Sequence, residues 1–292
     1  MSNLKIGDIV ARKSYNHDIL FKVTDIVDGQ DQDRTIALKG VNMRIVADSP
    51  ESDIEKMPSK KIEQFNKNFN KKINKIIKNI LRERRVYQTK SFTRHSSGHL
   101  IDSFHFGKPG RVLHIDGDGE YMDVCLKVYA ELEIDAKGKI IPESEQPKVV
   151  GSLLREHNPD ILILTGHDSF LKEYRNFTDI NSYRNTKHFI EAVKEARRYE
   201  PGMDELVIFA GACHSLYEAI IEAGANFASS PHRTLIHCLD PVFISEKIAY
   251  TSVDRFVSIE EILENTITGV RGVGGLQTRG KYRMGLPKSP YQ

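Results

Sequence analysis

The sequence predicts an α/β protein: a mainly parallel sheet flanked by helices, preceded by a small SH3-like β-barrel and a basic amphipathic helix. Three observations carry this expectation. Short β-rich runs separated by polar turns fill the first fifty residues, a lysine-rich stretch with three-and-four apolar spacing follows, and after Pro109 apolar runs alternate with helical periodicities. The expected divisions are 1–50, 51–107 and 108–292.

In the first division the runs Asp8–Ala11, Ile19–Ile26, Arg34–Lys39 and Met43–Ala47 read as strands at the spacing of a small barrel, a module that binds a partner or is merely structural. From Glu55 to Arg94 there are thirteen Lys or Arg and three Glu, a local charge of 13 − 3 = +10. Ile62, Phe65, Phe69, Ile73, Ile76, Ile77 and Ile80 recur there on one helical face. That helix either packs its stripe with a solvated basic face outward or meets an acidic partner surface. The tail "RERRVYQTKSFTRHSSGHL" has few apolar anchors and is expected to be mobile and open to proteolysis.

In the third division "RVLHID", "IDAKGKII", "ILILTG" and "LVIFAG" read as strands, with helices "EYMDVCLKVYAELE", "PKVVGSLLREHN", "NTKHFIEAVKEARRY" and "SLYEAIIEAG" between and after them. "NFASS" and "LIHCLDP" add expected strands, and Ser258 with Glu261 offers a capping box for "SIEEILENT".

The balance of 42 basic and 40 acidic residues gives a net charge of +2, so no nucleic-acid partner is expected. No run of eighteen apolar residues and no targeting signal stands out, which predicts a soluble cytoplasmic protein with no membrane span. Cys125, Cys213 and Cys238 are far apart and make no CxxC pair, and the histidines form no metal signature. Neither disulfide, metal nor cofactor is expected.

The chemistry gathers where strands end. "VLHIDGDGE", "ILILTGHDS" and "VIFAGACHS" each pass from an apolar run into polar residues, and in an open parallel sheet such ends converge on one crevice. His167 and Cys213, 213 − 167 = 46 residues apart, follow their strands by similar offsets. If those strands are neighbours, an imidazole can take the proton of a thiol, and a helix starting near Ser215 would favour the thiolate. Gly166 and Gly211 suit close backbone approach. Taken singly, each of these residues is equally readable as buried structure. His214 is a rival base, weakened because adjacent residues point in different directions. His232 and His237 read as structural or surface residues, and Cys125 and Cys238 are given no role.

Long stretches, "KIGDIVARKSY", "VLHIDGD", "PDILILTGHDSF", "NSYRNTKHF", "LVIFAGACHS", "AGANFASSPHR" and "GGLQTRG", resemble the YabG family of sporulation-specific cysteine peptidases of endospore-forming bacteria, over almost the whole chain. The resemblance implies an endopeptidase acting on spore coat and spore-assembly proteins near arginine, in the mother cell, with His167 and Cys213 as its catalytic pair. The two motifs are also similar to those of the caspase and gingipain group, which implies a caspase-like sheet; that group usually has Gly after the His, where this chain has Asp168. On this reading the backbone around Gly166, Asp168 and Ala212 would hold the oxyanion. Asp116, then Asp118, would receive the arginine side chain, unless "DGDG" is only a polar turn. Ser229 and Ser230 would pair with an extended substrate. The basic stretch 82–94 would suit self-cleavage. Two rivals stand beside this: a non-catalytic assembly protein, and a phosphatase-like hydrolase using an aspartate of "DGDGE" with Mg²⁺.

Overall fold

A computed structural model of the chain describes residues 4–28, 34–95, 105–171 and 176–289, the side chains of 87–95 excepted. The first strands are β1 (Ile9–Arg12), β2 (Phe21–Val27), β3 (Thr35–Gly40), β4 (Val46–Pro50) and β5 (Ile54–Lys56). They form an antiparallel sheet in the order β4-β3-β2-β1-β5 around Val10, Val23, Ile36 and Leu38, all fully buried. Two features differ from expectation. β5 was not foreseen, and β4 begins at Val46 rather than Met43, because residues 42–44 leave this sheet to bond elsewhere.

Helix α1 (Ser59–His95) runs for 37 residues, about 55 Å at ~1.5 Å per residue. Its apolar stripe is packed: Ile62 and Phe65 lie against Ala11, Leu20 and Met57 of the N-terminal sheet, while Ile73, Ile77 and Ile80 enter the core of the second sheet. The tail expected to be mobile continues this helix from Arg82 to His95 instead; residues 96–100 of it lie outside the described residues.

The second part runs β6 (Phe106–Lys108), β7 (Val112–Asp116), α2 (Gly119–Glu131), β8 (Ala136–Ile140), α3 (Gln146–His157), β9 (Ile161–Thr165), α4 (Thr186–Tyr199), β10 (Val207–Ala210), α5 (Tyr217–Glu222), β11 (Phe227–Ser229), α6 (Asp240–Tyr250), β12 (Phe256–Val257), α7 (Ile259–Leu263), β13 (Val273–Gly275), β14 (Thr278–Arg279) and β15 (Arg283–Gly285). β8, β7, β9, β10 and β11 are parallel neighbours in that order, and β13 closes the edge antiparallel to β11. β6 pairs with β15 and β12 with β14.

Side chains alternate across this sheet. Ile161, Ile163, Val207 and Phe209 face one core with α1, α2 and α6, and Leu162, Leu164, Ile208 and Ala210 face the other with α3, α4 and α5. Ser258 and Glu261 form the expected capping box of α7. "LIHCLDP" is not a strand: His237 alone makes a bridge, to Met43, and α6 follows at once. That helix was unforeseen because nine of its eleven residues are buried, so it shows no polar face to give it a period. Among the described residues no helix is long and apolar enough to cross a membrane.

Ile77→Ala on α1 removes volume from a fully packed site and is expected to cost about 2–5 kcal/mol in chemical denaturation, whereas Lys75→Ala on the exposed face changes stability by less than about 0.5 kcal/mol.

Candidate active site

β9 is hydrogen-bonded to β7 on one side and β10 on the other, with Asp116 opposite Thr165 and Leu164 opposite Ala210. The three polar strand ends therefore leave the sheet at one edge. His167 and Cys213 each lie three residues beyond the Leu164–Ala210 pair. Asp116, still within β7, keeps the parity of Val112, which faces the α1-α2-α6 core, whereas His167 and Cys213 lie in the loops beyond β9 and β10.

His167 is held from three directions. Its Nε2 is 2.9 Å from Asp118 Oδ2, its N–H donates to Glu143 Oε1 at 2.6 Å, and its carbonyl accepts from the Asn185 side chain at 2.9 Å. Gly166 leaves the room that Glu143 occupies; a Cβ there would collide with the carboxylate. Asp118 also caps α2, accepting from the N–H groups of Glu120 and Tyr121, and Lys39 Nζ lies 3.1 Å away. Burial alone would raise the Asp118 pKa, but the His167 hydrogen bond and the Lys39 charge outweigh it and hold the carboxyl at about 2. A carboxylate at Nε2 selects the tautomer that carries its proton there. The other ring nitrogen, Nδ1, is buried and makes no hydrogen bond among the described residues. Asp118, expected second as an arginine receptor, thus orients the imidazole.

Cys213 has no exposed surface. Its Sγ accepts from the Ile236 N–H at 3.2 Å and lies 3.8 Å from the Ile236 carbonyl. Burial pushes the thiol up to about 12, more than the Ile236 N–H and the charge of Arg44 pull it down. The helix expected to begin near Ser215 begins at Tyr217, with Leu216 as its N-cap, and α5 is only six residues long. Gly211 (φ +111°) and His214 (φ +61°) bend the chain around the cysteine, and the His214 N–H is spent on Ser230 Oγ at 2.9 Å.

Asp116 is fully buried and paired with Arg44, Nη1 to Oδ2 at 2.6 Å. Its Oδ1 accepts the Asp118 N–H and its Oδ2 the Thr165 hydroxyl, both at 2.9 Å. Despite burial, the Arg44 charge keeps this carboxyl well below the usual range. The carboxylate expected to receive a substrate arginine already holds one from the chain itself. The "DGDG" turn is accordingly both a polar turn and a set of partnered carboxylates.

The remaining expected residues build the frame. Ala212 donates its N–H to Ser215 Oγ at 3.0 Å, which removes it as an oxyanion donor. The Asp168 carboxylate is buried and accepts from Ser169 N–H, Asn185 N–H, the Thr186 hydroxyl and the Ser215 hydroxyl, so it ties the loop after β9 to the turn after β10. Ser229 donates to the Ala212 carbonyl at 2.8 Å, and Ser230 Oγ bonds the His214 N–H and the Thr234 carbonyl. Both hydroxyls are buried supports of the cysteine turn, and the main chain here is already paired: β11 lies between β10 and β13 with Ser229 opposite Val273, and the Ser230 N–H donates to the Gly272 carbonyl. His237 is buried, stacked on Phe69, with its pKa held down near about 3 by burial. Arg44, Glu143, Tyr121 and Ile236 escaped the sequence reading. Arg44 sits between Met43 and Ile45 in a run expected as a strand, with no local feature that marks its carboxylate partner; the other three carry no motif.

The Asp118 carboxyl is depressed from its ordinary 3.8 to about 2, so the fold favours the ionised form. Its contribution is complete above pH ~4 and disappears as pH falls through about 2. Asp118→Asn is therefore expected to lack a loss of stability that wild type shows between those values, read as the difference between their denaturation midpoints against pH.

A family model described as YabG peptidase U57 matches residues 5–287. The chain is 43% identical over 291 residues to the sporulation-specific protease YabG of Bacillus subtilis (strain 168), covering 97% of this chain and 98% of that one. No solved structure matches. By matches that span nearly its whole length, the chain belongs to the YabG family of peptidases, which makes it a protease of sporulation.

Proposed function

We propose that the chain is a cysteine endopeptidase with Cys213 as nucleophile and His167 as its base and acid. The observation that carries this reading is the Nδ1 atom of His167: the ring is fixed by Asp118 at Nε2, in the loop that follows the strand neighbouring the one before Cys213, and leaves one buried nitrogen without a partner among the described residues. Cys213 Sγ attacks the scissile carbonyl carbon as its proton passes to His167 Nδ1. The imidazolium, stabilised by Asp118, protonates the departing amine, and water activated by the same nitrogen hydrolyses the thioester. Attack requires the sulfur to turn from Ile236 towards His167. With Ala212 already engaged, the N–H groups of Asp168 and Cys213 remain to bind the oxyanion, each such donor contributing about 3 kcal/mol.

Cleavage beside arginine follows from Asp116, a carboxylate beneath the edge that carries Cys213 and already suited to a guanidinium. The substrates are spore coat and spore-assembly proteins in the mother-cell cytoplasm, and residues 108–292 carry the peptidase part, with 1–50 as an SH3-like barrel. Self-cleavage within 82–94 would need α1 to unwind there, since proteases bind extended chain. The aspartate-nucleophile alternative is disfavoured because Asp116 is buried in an ion pair and Asp118 is committed to His167 and the α2 cap.

Cys213→Ala and His167→Ala are expected to abolish hydrolysis of an arginyl peptide amide, with Asp118→Asn lowering kcat by roughly 10²-fold or more at unchanged fold. Full activity of Cys213→Ala would remove the nucleophile, and activity lost to a chelator but indifferent to alkylation would favour the phosphatase-like chemistry.

A further inference from the structure

Residues 42–44 are attached to the candidate site as a peptide would be. They break from the N-terminal sheet and run antiparallel to residues 236–238: Arg44 N–H donates to the Ile236 carbonyl at 3.1 Å, Cys238 N–H to the Asn42 carbonyl at 3.0 Å, and Met43 pairs with His237. Ile236 is the residue whose N–H holds the Cys213 sulfur. The Arg44 side chain then descends into a closed pocket, Nη1 on Asp116, Nη2 3.3 Å from the Cys238 carbonyl, and the guanidinium carbon 5.2 Å from the centre of the Tyr121 ring.

We propose that Asn42–Arg44 is an internal occupant of the arginine-recognition site, which keeps the Cys213 thiol closed until an extended arginine-containing peptide displaces it. This rests on the peptidase reading above and adds its regulation. Three features favour an occupant over a plain structural ion pair. Backbone strand pairing beside the sulfur is not needed to dock a sheet, and a buried ion pair is by itself a poor source of stability. Arg44 Nε makes no hydrogen bond among the described residues, so the pocket does not fully satisfy this arginine. Past Arg44 the chain turns at once: Ile45 N–H donates to the Met43 carbonyl at 2.7 Å, Gly40 N–H donates to the Ile45 carbonyl at 2.9 Å, and the Tyr121 hydroxyl is shared between the carbonyls of Gly40 and Met43. The bond after Arg44 is thus pinned in a tight turn rather than laid open along the edge, which explains how the segment fills the site without being a good substrate. Ile45 and Val46 then line a cleft with Ser169, Phe170, Tyr183 and His214, where the far side of a cleaved peptide would pass.

The test uses the full chain and a readout independent of catalysis: the rate at which iodoacetamide labels Cys213, followed by peptide mass mapping. Wild type is expected to label slowly and Arg44→Ala at least tenfold faster, with Arg44→Lys, which keeps the charge without the planar fork, between them. Acetyl-arginine methylamide, and not acetyl-norleucine methylamide, should slow the labelling of Arg44→Ala. Labelling that does not rise in a folded Arg44→Ala, or that the arginine compound cannot suppress, overturns the proposal. Should that variant fail to fold, wild type with excess acetyl-arginine methylamide must show faster hydrogen exchange at the displaced Arg44 amide; unchanged exchange there overturns it equally. If no variant cleaves any peptide while the arginine compound still protects Cys213, the peptidase reading falls and the occupied pocket stands.

Discussion

The parallel pairing of β9 between β7 and β10 is the constraint on which everything else depends. It forces the ends of three strands onto one edge, so that Asp116 at the end of β7 and the loops bearing His167 and Cys213 leave the sheet there together. Shifting any of these strands by one residue would exchange the side chains of its two faces. The strand interiors, mostly apolar and buried on both faces, make such a slip costly, because every core contact would change at once.

Around that edge the protein invests in polar contacts that would be expensive to leave incomplete. Asp168 alone accepts four hydrogen bonds and welds the histidine loop to the cysteine turn. Glu143 and Asp118 fix the imidazole from its backbone and from its ring. The sulfur receives the opposite treatment: it is enclosed, bonded to one peptide group and kept as a neutral thiol by burial. The imidazole is thus fixed and the thiol enclosed, and on the proposed reading the step to reactivity is a local one.

The alternation of strand and helix patterns after Pro109, the apolar stripe of α1 and the common edge for three strand ends were all legible in the sequence, because each leaves a periodic or punctuated trace. What was not legible came from long-range pairing. α6 hides its period by being buried all round. Asp116 and, after it, Asp118 were both expected to receive a substrate arginine; only the third dimension gives Asp118 to His167 and Asp116 to Arg44. Ser229 and Ser230 looked like an exposed edge and are interior supports. Arg44 lies 116 − 44 = 72 residues from its carboxylate, within the run Met43–Ala47 expected as a strand, and no local rule reports a strand that deserts its own sheet.

Helix α1 gives the contact between the two sheets its character. Ile62 and Phe65 fasten it to the N-terminal sheet and Ile73, Ile77 and Ile80 to the larger one, so the two stay joined even when the loop bearing Arg44 lifts away. A ligand carried on the same chain is met at an effective concentration set by its tether, of millimolar order for a short connection, whatever the abundance of the protein in the cell. Dilution therefore never empties the pocket. Only a competitor of comparable local abundance, or a break in the tether, does so.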